Sequence, residues 1–117
     1  MELFTREWGH GDRYAVLVHG VMSDSRTWRR VGPVLAEHGY HVIAVDLRGH
    51  GHSPRTGEYS AELMAQDIVD TVPAEPELVM GHSLGGLTVS LAVERLRPER
   101  VVYVDPAFSC PAANWFQ

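Results

Sequence analysis

A regular alternation of short apolar runs with helix-like segments constrains the fold of this chain more than any other feature. Residues 14–19, 41–46, 77–80 and 101–105 are runs rich in valine and leucine, each about as long as a strand. Because these runs are apolar at successive positions, they predict strands buried on both faces. Such strands, separated by helices, indicate an α/β fold with a mostly parallel sheet and helices on both faces.

Three helices are expected between these strands. The first begins at Ser25 or Thr27, which are good capping residues, and closes at Gly39. The second covers residues 61–72. The third covers residues 84–96, where arginines near the end and a following proline mark the C-terminus.

Length and composition indicate one small domain. The 117 residues are enough for one hydrophobic core, so residues 1–117 are treated as a single domain. Residues 3–8 predict a short edge strand, and residues 46–59, with three glycines and a proline, predict a loop. The net charge of −5 argues against nucleic-acid or anionic-membrane partners. A single cysteine, Cys110, and the lack of a visible signal peptide favour a cytoplasmic location.

The turn with the sequence GHSLGG carries the clearest chemical signal. It places Ser83 between a predicted strand and a predicted helix, with Gly81 and Gly85 two positions away on either side. A turn of this kind forces the serine into strained backbone angles, and close neighbours at those two positions must lack side chains. The hydroxyl then projects at a helix N-terminus, which stabilises negative charge. Ser83 is therefore predicted to be a nucleophile; the alternative is a glycine-rich turn with an incidental serine.

Three further segments, in their order and spacing, resemble the α/β-hydrolase superfamily of the serine hydrolase type. His19-Gly20-Val21 follows the first long strand, DLRGHGHS at residues 46–53 follows the second, and Val101–Pro106 follows the predicted nucleophile helix. The resemblance covers nearly the whole chain. It implies an α/β-hydrolase fold whose last strands are missing from these 117 residues.

The resemblance also implies how the strands are arranged. Along the sheet, their order would be residues 3–8, 41–46, 14–19, 77–80 and 101–105. The loops after the second and third of these strands would then meet the nucleophile turn at one edge of the sheet. Open α/β sheets bind their ligands at that edge.

The activity implied by the resemblance is hydrolysis of an ester, thioester or amide by acyl transfer from Ser83 to water. The backbone N–H groups of Val21 and Leu84 would form the oxyanion hole. The substrate would be a small molecule with an acyl group, and no cofactor or metal is implied. Lyases and carbon–carbon hydrolases with this fold also use serine, so more than one reaction class is compatible with Ser83.

The histidines depart from the family pattern, in which the serine precedes the acid and then the histidine. All seven histidines lie at or before position 82. Asp105, at the end of a strand, is a candidate acid, although a turn residue is the alternative. We therefore expect a truncated domain that is inactive by itself, because a serine without a base is a weak nucleophile. The alternative function is a non-catalytic binding module or an inactive fragment lacking the triad histidine and acid.

Other histidines have both structural and functional interpretations. His50 and His52 could be metal ligands or a substitute base, but a role in shaping the glycine-rich loop is favoured because no third ligand is evident. His82 is expected to pack, pointing away from the Ser83 hydroxyl. The resemblance implies that His19 packs or hydrogen-bonds to orient the oxyanion loop.

Two apolar features bear on the substrate and on association. Met22 is a candidate lining residue of the acyl pocket, whereas Trp28 is expected to face the core. The apolar run at residues 101–104 is interior to the sheet in the resembled fold. Without a further strand it would form an open edge, which favours self-association.

Overall fold

A five-stranded sheet forms the centre of the fold, and the computed structural model describes residues 1–105 of the chain. The strands are β1 Thr5–Trp8, β2 Tyr14–Val18, β3 His41–Val45, β4 Leu78–His82 and β5 Arg100–Val104. Their order in the sheet is β1-β3-β2-β4-β5. β1 runs antiparallel to β3, and the other pairs are parallel. The predicted strand order is confirmed.

Three α-helices connect the strands: α1 Val31–Glu37, α2 Ala61–Thr71 and α3 Leu84–Leu96. α3 has the predicted limits. A short 3₁₀ helix, Ser25–Trp28, precedes α1.

The prediction of one continuous first helix, capped by Ser25 or Thr27, is wrong. Asp24 caps the 3₁₀ helix by accepting a hydrogen bond from the Arg26 backbone N–H at 2.8 Å, and α1 starts anew after it. Pro33 explains the break, because its missing N–H is tolerated in the first turn of a helix but not in the interior. The predicted closure near Gly39 is confirmed, and Gly39 takes a left-handed φ of 93°.

Side chains from alternate positions of β2 pack into separate cores on the two faces of the sheet. Val16 and Val18 pack into the core that α2 and α3 cover. Ala15 and Leu17 pack into the core that contains Trp28 and the apolar side of α1. Trp28 is buried, as predicted. Helices therefore cover both faces of the sheet, which confirms the predicted fold class.

A buried ion pair fixes the loop between β3 and α2. Arg48 donates from Nε to Asp67 Oδ2 at 2.8 Å and from Nη2 to Asp67 Oδ1 at 2.9 Å. Its Nη1 also donates to the Glu58 carbonyl at 3.1 Å. Because Asp67 lies on α2, this pair holds the predicted loop of residues 46–59 against that helix.

β5 forms the edge of the sheet opposite β1 within the described part of the chain. It pairs with β4, and no strand of residues 1–105 pairs with its other side. Val102 and Val104 expose 39% and 40% of their surface, whereas Val18 in the central strand exposes none. Over the same residues, no helix combines the length and apolarity that crossing a bilayer requires.

Candidate active site

Ser83 alone links β4 to α3, and its backbone is strained. Its φ of 55° and ψ of −116° lie in a region of backbone angles that residues other than glycine rarely adopt. Strain of this kind costs about 1–3 kcal/mol and is concentrated at functional sites. The turn is held by the Ser83 N–H, which donates to the Val104 carbonyl at 3.0 Å, and by the Gly86 N–H, which donates to the Ser83 carbonyl at 2.9 Å. The strained turn predicted from the sequence is confirmed.

The glycines at positions 81 and 85 allow three backbone segments to approach closely. A Cβ on Gly81 would lie 2.6 Å from the carbonyl oxygen of Gly85. A Cβ on Gly85 would lie 2.3 Å from the Val18 carbonyl oxygen and 2.6 Å from that of His19. Both contacts are with backbone atoms, which cannot move aside cheaply. The start of α3 therefore reaches the ends of β4 and β2 only because both residues lack side chains.

The turn after β2 lies directly beside Ser83. A Cβ on Gly20 would lie 3.3 Å from the Ser83 Cβ and 3.2 Å from His82 Nδ1. The imidazole of His82 therefore packs against this turn, in line with its predicted packing role. Within residues 1–105, the backbone N–H groups of Val21 and Leu84 donate to no acceptor. The residue after Gly20 and the residue after Ser83 thus each carry a free N–H donor.

His19 holds this turn to the loop after β3. Its Nδ1 donates to the Gly20 carbonyl at 2.6 Å, and its Nε2 accepts from the Leu47 N–H at 2.9 Å. These partners fix the neutral tautomer. Burial lowers the pKa of the imidazole from 6.5 to about 4, so His19 is uncharged at neutral pH. His19 therefore forms hydrogen bonds to the turn after β2 and to the loop after β3, as expected.

A second buried polar residue, Asp46, joins the two loops of the site and was not identified from the sequence. Its Oδ1 accepts from the Ser25 N–H at 2.7 Å, and its Oδ2 accepts from the His52 N–H at 2.9 Å. Gly51 makes room for it, because a Cβ there would lie 2.3 Å from Asp46 Oδ2. The sequence signal was a carboxylate at the end of a buried strand, before a glycine-rich loop.

An open cleft of about 600 Å³ lies between these loops and the starts of α2 and α3. Its lining residues are Val21, Met22, Ser23, Asp24, Arg26, Gly49, His50, Gly51, Arg55, Tyr59, Met64 and Leu84. Val21 and Leu84, the predicted oxyanion residues, line it together. The Ser83 side chain is not itself among the lining groups, but Ser83 immediately precedes Leu84. Met22, the candidate lining residue of the acyl pocket, lines this cleft and is 91% exposed, which places it at the mouth.

No histidine of the chain hydrogen-bonds to Ser83 Oγ among the described residues. His50 lines the cleft, but its Nδ1 donates to the Arg48 carbonyl at 2.9 Å and its ring packs 5.1 Å from the ring of His19. The ring of His52 packs 4.9 Å from that of Phe4. Over residues 1–105, no group of three His, Cys, Asp or Glu side chains is placed to hold a metal ion.

The candidate acid, Asp105, follows β5 and is exposed, with a left-handed φ of 51°. Its carboxylate hydrogen-bonds to no other described residue. A catalytic role for Asp105 stays a prediction. Cys110 lies outside the described residues.

Sequence comparisons place this site in a known family. A model of the alpha/beta hydrolase family matches residues 15–117. The chain is 40% identical over 104 residues to a pimeloyl-[acyl-carrier protein] methyl ester esterase of Klebsiella pneumoniae subsp. pneumoniae, covering 88% of this chain and 39% of that esterase. It is 34% identical over 97 residues to the polyneuridine aldehyde esterase of Rauvolfia serpentina, covering 76% of this chain and 36% of that esterase. The chain therefore spans about two fifths of the length of these relatives.

Solved structures show the same fold. The monoacylglycerol lipase of Paleococcus ferrophilus is similar with a TM-score of 0.76 and 34% identity, covering 93% of this chain and 45% of that lipase. The thioesterase domain from the curacin biosynthetic pathway is similar with a TM-score of 0.78 and 28% identity, covering 96% of this chain and 46% of that domain. With the strained serine turn, the parallel sheet and the family match over residues 15–117, the chain belongs to the alpha/beta hydrolase family.

Proposed function

We propose that this chain carries the nucleophile and the oxyanion hole of a serine esterase. The observation that carries the proposal is the backbone of Ser83, held at a φ of 55° in the turn between β4 and α3. The esterase relatives support the reaction class. The substrate is a small molecule with an ester, thioester or amide carbonyl, and the reaction is acyl transfer to water.

In the proposed mechanism, Ser83 Oγ attacks the carbonyl carbon and the carbonyl oxygen becomes an oxyanion. The free N–H groups of Val21 and Leu84 donate to that oxyanion, and each such donor stabilises the transition state by about 3 kcal/mol. Collapse of the tetrahedral intermediate releases the leaving group and leaves an acyl group on Ser83. Water then attacks the acyl-enzyme and releases the acid.

The proton of the Ser83 hydroxyl needs an acceptor during the first step. Because none of the seven histidines hydrogen-bonds to Ser83 Oγ in the described part, we expect the 117-residue chain by itself to hydrolyse esters slowly. The same observation favours a second candidate function, a binding module that holds an acyl compound without cleaving it. The two candidates differ in whether Ser83 reacts covalently.

Covalent labelling of Ser83 tests the proposal directly. The chain is treated with an alkyl fluorophosphonate at high pH, where hydroxide can take up the proton of the Ser83 hydroxyl, and the modified residue is located by mass spectrometry. We expect the adduct on Ser83, none in Ser83→Ala, and an unchanged labelling rate in Ser90→Ala, the matched control on the same helix. A modified residue elsewhere, with Ser83 untouched, would overturn the assignment and favour the binding module.

Hydrolysis of an activated ester tests the expectation about the base. We expect a slow rate, within about a thousandfold of the uncatalysed reaction, that falls further in Ser83→Ala because the route through an acyl-serine is then lost and only the oxyanion donors remain. Replacing His82 by alanine should change this rate far less than replacing Ser83. Rapid turnover that survives Ser83→Ala would contradict the mechanism.

A further inference from the structure

The cleft combines an apolar interior with a charged mouth. Val21, Met64 and Leu84 contribute apolar groups near the predicted oxyanion hole. Arg26 and Arg55 contribute guanidinium groups to the same cleft. This division suits a ligand with an apolar chain beside the serine and a polar end toward solvent.

A second hollow of about 480 Å³ adjoins the first along the turn of residues 22–26, since both are lined by Met22, Ser23, Asp24 and Arg26. Arg29 lines this second hollow. Arg55 thus lines the cleft, Arg29 lines the adjoining hollow, and Arg26 lines both, together with the acidic residue Asp24.

Within residues 1–105, two of these arginines have no carboxylate partner. Asp24 pairs with Arg26, whose Nη2 lies 2.9 Å from Asp24 Oδ2. Arg55, by contrast, donates from Nη1 only to the carbonyls of Gly51 and Ser53, at 3.2 and 3.4 Å, among residues 1–105. In the same part of the chain Arg29 has no carboxylate partner either, and its Nη1 lies 3.5 Å from the Arg26 carbonyl.

Guanidinium groups without a carboxylate partner in two adjoining hollows are unexpected from composition alone. The sequence has 15 acidic and 10 basic residues and a net charge of −5. Most of the surface is therefore expected to repel anions, whereas these hollows attract them. A guanidinium presents planar paired donors that match carboxylate and phosphate oxygens.

We propose that the substrate of this site is an ester whose far end carries an anion, either a carboxylate or a phosphate, that binds Arg55 while Arg29 raises the local positive potential. The inference rests on the proposed function, because it uses Ser83 to define where the ester lies. The apolar lining holds the chain between the ester and the anion.

Binding of unreactive ketones tests this proposal without requiring catalysis. The probes are methyl ketones with a short alkyl chain ending in a carboxylate, in a phosphate ester or in a methyl group, titrated against the 117-residue chain and followed by NMR. We expect at least one anionic ketone to bind about fivefold more tightly than the neutral one, with an advantage that shrinks as salt increases. The stronger of the two anions identifies the natural end group.

Variants assign the effect to the proposed residues. Arg55→Gln should weaken binding of the anionic ketone about three- to fivefold and Arg29→Gln about twofold, while binding of the neutral ketone is unchanged. Arg30→Gln is the matched control, since Arg30 carries the same charge next to Arg29 but lines neither hollow. Circular dichroism confirms that each variant is folded.

The outcomes separate this inference from the proposed function. Equal affinity for anionic and neutral ketones, no binding of either anion, or equal losses in Arg30→Gln and Arg55→Gln would overturn the anion site. These results do not depend on whether Ser83 takes up a fluorophosphonate. Arg55-dependent anion binding by a chain whose Ser83 stays unlabelled would support the anion site and contradict the nucleophile.

Discussion

The two sides of the sheet edge beside Ser83 are built differently. On one side, the loops after β2 and β3, here called the anchored loops (residues 19–25 and 46–53), are joined by the buried polar groups of His19 and Asp46. On the other side, β5 carries apolar side chains that are more than a third exposed. The first region is held by directed hydrogen bonds, the second by its pairing with β4.

This difference indicates where substitutions should matter. When one partner of a buried hydrogen bond is removed, the other is left without a partner and carries the full desolvation penalty. Substitutions in the anchored loops are therefore expected to lower the free energy of unfolding strongly. Half-exposed apolar groups at an edge lose little when they are replaced. The scaffold around Val21 should therefore be more sensitive to mutation than the strand that borders Ser83 on its other side.

Removing the Asp46 carboxylate is expected to have the largest effect. Asp46→Ala leaves the N–H groups of Ser25 and His52 without acceptors, which lowers the free energy of unfolding by about 4 kcal/mol. Urea denaturation followed by circular dichroism measures this loss. The control is Asp12→Ala at an exposed position, which should cost less than about 0.5 kcal/mol. A loss below about 1 kcal/mol in Asp46→Ala would show that the anchored loops do not depend on this carboxylate.

The sequence predicted most of the fold and the nucleophile turn. Helix α3 and the order of the five strands follow from apolar runs, end signals and the resemblance, all of which are local or ordered along the chain. The strained backbone of Ser83 follows from the glycines around it, because their absence of side chains is visible in the sequence.

The bridging role of Asp46 could not be predicted, because it depends on which distant N–H groups face the carboxylate after folding. Ser25 is 21 positions away, and nothing in either residue indicates the pairing. The break between the 3₁₀ helix and α1 was missed for a related reason. Asp24 caps the 3₁₀ helix in place of Ser25 or Thr27, and Pro33 prevents one continuous helix.

Protonation of His19 is expected to destabilise the anchored loops in acid. Because its folded pKa of about 4 lies below the ordinary value of 6.5, the unfolded chain binds the proton more readily between these values. Stability is therefore retained above pH 6.5 and is lost as the pH falls toward 4, by about 3 kcal/mol in total. Unfolding free energies measured from pH 7 to 4.5 should show this slope.

A variant isolates the contribution of His19. His19→Gln keeps an acceptor for the Leu47 N–H but cannot titrate, so most of the slope should disappear even if the variant is less stable throughout. His41 shows the opposite behaviour, because the hydrogen bond to Glu7 raises its pKa. The stability that His41 contributes is complete below pH 6.5 and is lost at higher pH, so it does not mimic the acid slope. An unchanged slope in His19→Gln would assign the acid sensitivity to another group.

The same substitution at two strands contrasts a fully buried position with the exposed β5 edge. Val18→Thr places a hydroxyl in the core under α2 and α3 and should cost about 2 kcal/mol. Val102→Thr places it at a position that is 39% exposed and should cost less than about 0.5 kcal/mol, since threonine also favours strands. Thermal or urea unfolding measures both. Equal losses would mean that β5 is as well covered as the central strand.

Substitution of a charged residue into β5 should have the smallest effect on stability but a clear effect on association. In the described part, β5 pairs with β4 alone, and Val102 and Val104 are half-exposed. A strand of this kind favours pairing with a second copy, so we expect the apparent mass of the 117-residue chain to rise with concentration. Val102→Lys should shift the chain toward the monomer, because an edge lysine disfavours further pairing, while the free energy of unfolding changes by less than about 1 kcal/mol. Val34→Lys is the matched control, since Val34 is 52% exposed but lies on helix α1 and not on a strand, and should leave association unchanged. Size-exclusion chromatography with light scattering decides between the outcomes. A concentration-independent monomer before any substitution would show that the β5 edge is already covered. If Val102→Lys and Val34→Lys reduced association equally, association would depend on net charge and not on strand pairing.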